Sequence, residues 1–127
     1  MPATTATETT VDLVTRFEKA FNTYDLDTLM ADMTEDCVFE HIAPAAVSFG
    51  RHEGQAAVRA VWASLAEHFP SYRFEIEDVF GTGNRATCRW SMTWRLPDGG
   101  TGTGRGVDVF RARDGKISEK LTYVTLG

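Results

Sequence analysis

The stretch NRATCRWSMTWRL, residues 84–96, decides the fold because it alternates without a break. Ala86, Cys88, Trp90, Met92, Trp94 and Leu96 share one parity; Arg85, Thr87, Arg89, Ser91, Thr93 and Arg95 share the other. Successive side chains of a strand point to opposite faces, so the pattern predicts a strand with one apolar and one basic face. An apolar face of that size has to be covered, and the arginine face has to meet water. The next stretch, TGTGRGVDVFRA at 101–112, alternates as well. Gly102, Gly104, Gly106, Asp108 and Phe110 fall on one face, opposite Thr103, Arg105, Val107, Val109 and Arg111. Three glycines leave the inner face thin. That predicts empty space beneath a covering layer, or bulges that bend the sheet. Either way the sheet curves around a pocket.

Outward from this hairpin, 72–80 and 116–125 also read as strands, with turns at GTGN (81–84), PDGG (97–100) and DG (114–115). The N-terminal half is helical first. Leu13, Phe17, Ala20, Phe21 and Tyr24 recur at steps of three and four, with Thr9 or Thr10 as cap and Asp12 in the first turn. Asp25 is placed to cap a second, short helix carrying Leu26, Leu29, Met30 and Met33. After Asp36 the period becomes two, with Cys37, Phe39 and His41 on one face and Val38, Glu40 and Ile42 on the other. A loop over 43–54 leads to a third helix bearing Val58, Val61, Trp62, Leu65 and Phe69, which Pro70 stops. Helices followed by a four-strand meander predict an α+β layer with the helices on one sheet face.

Composition sets the outer limits. A length of 127 residues fits one domain, expected over 10–127 after a disordered tail at 1–9. A net charge of −5 argues against nucleic acid, whose phosphates call for a basic face. No apolar run approaches the roughly 20 residues that span a bilayer. The opening MPATTATETT lacks a basic start and an apolar stretch, so no secretion signal is expected. Cys37 and Cys88 form neither a disulfide framework nor a zinc spacing. The expectation is a soluble, cytoplasmic protein without nucleic-acid or membrane partners.

Two residues stand out chemically. Asp108 shares its face with Phe110, and hairpin register is expected to bring it near Trp90, Met92 or Trp94. A carboxylate among rings is costly when charged, which makes it a poised base or a neutral donor. The alternatives are a bulge that turns Asp108 to solvent, or a buried carboxylate that bonds a loop. His41 lies on the inward parity of the first strand, where it is either a general acid or base or a satisfied core residue. Cys88 faces inward without an activating base. His52 and His68 read as solvated helix-end residues. Phosphate-loop, dinucleotide and nucleophile-elbow motifs are absent from the sequence.

FEKAFNTYDLDTLMADMTEDCVFE at 17–40 resembles the opening of the nuclear transport factor 2-like superfamily. GRHEGQAAVRAVWASL at 50–65 and RGVDVFRARDGKISE at 105–119 resemble its SnoaL-like polyketide cyclase and ketosteroid isomerase branches. The resemblance spans residues 10–125. It implies a cone-shaped, curved mixed or antiparallel sheet wrapped by three N-terminal helices around an apolar pocket, usually dimeric and without metal or organic cofactor. Asp108 falls where ketosteroid isomerases carry a protonated oxyanion-hole aspartate, and His41 where they carry the proton-shuttling aspartate. Phe17 stands in place of their oxyanion tyrosine, and Trp62 in place of a supporting tyrosine. The epoxide-hydrolase branch uses an Asp–Arg–Asp set; here Thr122 occupies the last-strand position, and no acid lies between Asp78 and Asp98. The resemblance therefore implies acid/base catalysis on a hydrophobic cyclic or polyketide-like carbonyl compound. Asp108 and His41 would be catalytic, and Phe17, Phe39, Trp62, Trp90, Met92, Trp94, Phe110, Thr122 and Val124 would line the pocket. The alternatives are a non-catalytic binder of a hydrophobic small molecule and an epoxide hydrolase or dehydratase of the same fold.

Overall fold

The alternating stretch forms strand β4 (Arg85–Arg95) in a computed structural model that describes residues 8–44 and 49–126. The elements before it are α1 (Thr10–Ala20), α2 (Leu26–Ala31), β1 (Met33–Ile42), β2 (Gly50–Glu53), α3 (Gln55–His68) and β3 (Arg73–Thr82). After it come β5 (Thr101–Arg113) and β6 (Lys116–Leu126). The six strands form one curved sheet in the order β2-β1-β6-β5-β4-β3. Neighbours run antiparallel except β1 and β6, which pair parallel. The sheet is mixed, and within it the first strand of the chain lies beside the last.

The helices begin for local reasons. Thr9 accepts a hydrogen bond from the backbone N–H of Asp12 at 3.1 Å, and Glu8 pairs with Arg16 at 3.0 Å. Residues 8 and 9 thus belong to the start of α1, while the rest of the expected tail, residues 1–7, lies outside the described residues. Asp25 caps α2 by accepting from Thr28 N–H at 3.2 Å. The second helix is shorter than its apolar spacing suggests. It ends at Ala31, and Met33 opens β1 instead. Within the expected loop 43–54, residues 50–53 form β2, whose four residues are too few and too polar to announce a period. Residues 45–48 lie outside the described residues.

Leu13, Val14, Phe17 and Phe21 pack with Val58, Trp62 and Leu65 of α3 over the inner sheet face, where Cys37, Phe39, Cys88, Trp90 and Phe110 are buried. The glycines of β5 are neither bulged nor over empty space. The β4–β5 register is unbroken and pairs Trp90 with Gly106, Met92 with Gly104 and Trp94 with Gly102. The indoles lie across the glycine backbone. A Cβ on Gly106 would come within 2.6 Å of Trp90 Cε2, and one on Gly102 within 2.6 Å of Trp94 Nε1. Gly104 differs, since its nearest neighbour is the flexible Leu126 Cδ2 at 3.0 Å. Gly106→Ala is accordingly expected to cost about 1–3 kcal/mol by overpacking, and Gly104→Ala less than about 1 kcal/mol. Urea denaturation of the two variants measures the contrast; equal costs would mean that the rings do not set it.

Candidate functional site

Sheet register brings the site together. His41 on β1 is paired with Thr122 on β6, and Thr122 is paired with Asp108 on β5, which faces Cys88 on β4. One row thus reads His41, Thr122, Asp108, Cys88. The next row reads Phe39, Lys120, Phe110, Ala86. With strands about 4.8 Å apart, the His41 and Asp108 backbones flank Thr122 at roughly 10 Å from each other. The expected neighbours of Asp108 need correction. The connection through residues 96–100 pairs Arg95 with Thr101, which sets Cys88 opposite Asp108 and places Trp90 one inward position away.

Asp108 is fully buried and accepts a hydrogen bond from the Thr122 hydroxyl at 2.7 Å. Its other oxygen, Oδ2, lies 3.6 Å from Lys120 Nζ. Lys120 in turn lies 3.5 Å from Oε1 of Glu18, which reaches down from α1. These ion-pair distances are longer than the roughly 2.7–2.9 Å of a tight charge-assisted bond. Aromatic rings supply further stabilisation. Lys120 Nζ sits 4.1 Å from the centroid of Phe21, and 5.4–5.7 Å from Phe17, Phe39 and Trp62, within cation–π range.

Three formal charges in so dry a place cannot all persist, and Glu18 yields. Burial first, then the charge of Asp108, raises its pKa well above the usual carboxylate range, against the opposing pull of Lys120. Burial pulls Lys120 down, but Asp108 and Glu18 outweigh it, and its pKa ends raised. Glu18 is thus the member of the cluster driven toward its neutral form, while Lys120 is held toward its charged one. Burial, with Glu18 and Asp108 next in weight, also pushes the Cys88 thiol up, so it is no thiolate nucleophile.

His41 titrates low, at about 4, because burial and then the Lys120 charge disfavour its cation more than Asp108 favours it. The ring is neutral at pH 7. A depressed histidine contributes stability that is present above its unfolded pKa and lost as pH falls toward the folded value. Its contribution should therefore disappear between about pH 6.5 and 4, by on the order of 2–3 kcal/mol. The expected result is that His41→Gln loses less stability than wild type across that window, read from urea midpoints at matched pH. Parallel losses would overturn the assignment.

These groups form one wall of an apolar cavity of about 40 Å³. Phe39, His41, Trp62, Trp90, Met92, Asp108, Thr122 and Val124 line it, as do Phe49, Phe74, Glu18 and Lys120. Phe17, Phe110 and Trp94 do not. Phe17 and Phe110 are fully enclosed in the core, their rings 6.1 Å apart, and Trp94 packs on Phe69 at 4.9 Å. Reading by residue type passed over Glu18 and Lys120. Both carried a signal: Lys120 shares inward parity with Thr122 and Val124, and Glu18 lies on the α1 stripe between Val14 and Phe21.

Residues 14–120 match the family model of the SnoaL-like domain. An NTF2-like protein of unknown function from Mesorhizobium loti is 35% identical, with 98% of this chain and 96% of that one covered and a TM-score of 0.72. A candidate polyketide cyclase from Sinorhizobium meliloti is 25% identical over 88% of this chain and 94% of its own, with a TM-score of 0.72. AclR, a candidate hydroxylase from Streptomyces galilaeus, shares the fold at 18% identity, covering 91% of this chain and 77% of its own at a TM-score of 0.72. A comparison with curated proteins gives no match.

Proposed function

The chain belongs to the SnoaL-like domain family, and from that premise we propose that it is an acid/base enzyme that moves a proton beside a carbonyl of a flat, hydrophobic small molecule. The observation that carries this reading is the Asp108–Lys120 pair, 3.6 Å apart in the wall of an apolar cavity. In this reading the Asp108 carboxylate takes a proton from the carbon next to the carbonyl. The C–H electron pair moves into the new C=C bond, and the carbonyl π pair moves onto oxygen. The Lys120 ammonium faces that enolate oxygen. The enolate carbon then attacks a second carbonyl, closing a ring as that carbonyl's π pair moves onto its oxygen and the alkoxide takes a proton from the cluster, or a different carbon of the enolate takes that proton instead. Positioned proton transfer contributes roughly 10²–10⁴ in rate, and a preorganised donor in a dry site roughly 10²–10³ more. Thr122 orients Asp108, and His41, neutral and weakly basic, orients a polar substituent of the ligand rather than removing the proton.

A cavity of about 40 Å³ holds about three water molecules, whereas small-molecule sites run to roughly 300–1,000 Å³. Ligand entry therefore displaces side chains, and the half-buried lining residues Phe49, Phe74 and Val124 are the ones with room to move. The test is a panel of flat cyclic ketones and hydroxyquinones, screened by quenching of Trp62 and Trp90 fluorescence. Each binder is then incubated with the protein and followed by mass spectrometry. Turnover of a bound compound supports the reading. Tight binding with every compound recovered unchanged would establish a binding protein instead.

A further inference from the structure

We infer that Glu18 is the proton port of the buried cluster, a carboxyl group that exchanges protons between Asp108 and solvent in the groove between α1 and β3. Glu18 walls two spaces at once. On one side is the inner cavity with Asp108, Lys120 and His41. On the other is an outer groove formed by Lys19, Asn22, Arg73, Phe74, Glu75 and Ile76. No other ionisable member of the cluster reaches that groove. All are buried, Asp108 at 0% exposed, Glu18 at 3% and Lys120 at 6%, so it is the position of Glu18 in the wall shared by the two spaces, rather than its exposure, that sets it apart. The backbone of the wall it stands in is fixed, because Asn22 bonds both polar backbone groups of Phe74 on β3. It donates to the Phe74 carbonyl at 2.8 Å and accepts from the Phe74 N–H at 2.8 Å.

On the inner side Glu18 Oε1 is buried 3.5 Å from Lys120 Nζ, and the carboxyl also interacts with Asp108. It thus meets both members of the Asp108–Lys120 pair from the side that borders the groove. Burial and the charge of Asp108 both favour the protonated form of Glu18. The transfer balances simply. Glu18 releases its proton to water in the groove and becomes a carboxylate beside Lys120. It then takes the proton that Asp108 gained from carbon, which restores the Asp108 carboxylate. No electrons leave the cluster, and the reverse sequence brings a proton in. A port on the α1–β3 side lets the site reset while a ligand fills the cavity.

The inference rests on the acid/base reading of the same cluster, but its test involves no substrate. The full chain is labelled with ¹⁵N-lysine, and exchange of the Lys120 ammonium protons with water is measured by NMR. Glu18→Gln keeps the shape and is expected to slow exchange by roughly 10²-fold, while Glu18→Asp restores most of the rate. Electrostatics alone predict the opposite sign, since losing an acid beside Lys120 eases its deprotonation and speeds exchange. Lys19→Trp, which fills the groove from the exposed side of α1 without touching the cluster, is expected to slow exchange as well. Unchanged or faster exchange in Glu18→Gln overturns the inference. If that variant folds poorly, unchanged exchange in Lys19→Trp does so. Failure of turnover in the ligand panel would count against the enzyme reading and leave this result standing.

Discussion

Asp108→Asn is expected to lower turnover by roughly 10²–10⁴ while moving the melting temperature little. Asn has the same shape, and its side-chain carbonyl can still accept the Thr122 hydroxyl now held at 2.7 Å. What it lacks is the ability to take a proton from carbon. The fold survives because the cluster carries a spare acid. The pKa of Glu18 is held up first by burial and then by the negative charge of Asp108. With that charge removed, Glu18 ionises more readily and becomes the counter-ion of Lys120, already 3.5 Å away. Activity and stability therefore part company in this variant. Turnover of the compound found in the quenching screen and a thermal melt measure the two. Full activity with a normal melt would remove Asp108 from the role of base.

Lys120→Met should do the reverse and strike stability hardest, at about 3–5 kcal/mol near pH 7. Methionine follows the same path through the aromatic cage, so packing is largely kept. The loss is electrostatic: Asp108 and Glu18 are left in a buried site with no cation. Both groups then bind protons more tightly in the folded chain than in the unfolded one. A carboxyl with a raised folded pKa contributes stability at low pH that is lost as pH climbs through that value. The penalty should accordingly shrink at pH 5 and be greatest at pH 8, measured by urea denaturation against wild type. A penalty that stays constant across that range would place the defect in packing rather than in charge.

The fold was legible where the chain spoke in long periods. The alternation at 84–96 identified β4 and its covered face, and the apolar spacing of α1 and α3 identified the cover. β2 was not legible, because four polar residues show no period. The site was legible in parts. Parity put His41 and Asp108 on the inner face, but nothing local shows that residue 41 meets residue 122, since a parallel pairing of distant strands leaves no trace in nearby sequence. Lys120 and Glu18 each look like a surface charge when taken alone. They make sense inside only as partners, one on a strand and the other on a helix. The glycines of β5 misled for a similar reason, because the rings that fill their space come from the neighbouring strand.

The parallel pairing of β1 with β6 also sets an order in time. During synthesis β1 leaves the ribosome early, yet its central neighbour is the last strand to be made. Helices and the β3–β4–β5 meander can form from nearby residues, whereas the middle of the sheet waits for β6. Contacts so far apart in sequence slow folding. Phe39 and His41 stay without their sheet neighbours until Lys120 and Thr122 emerge. Completion of the sheet and assembly of the row from His41 to Cys88 thus become one late event, and the nascent chain holds no half-built version of that row while it grows.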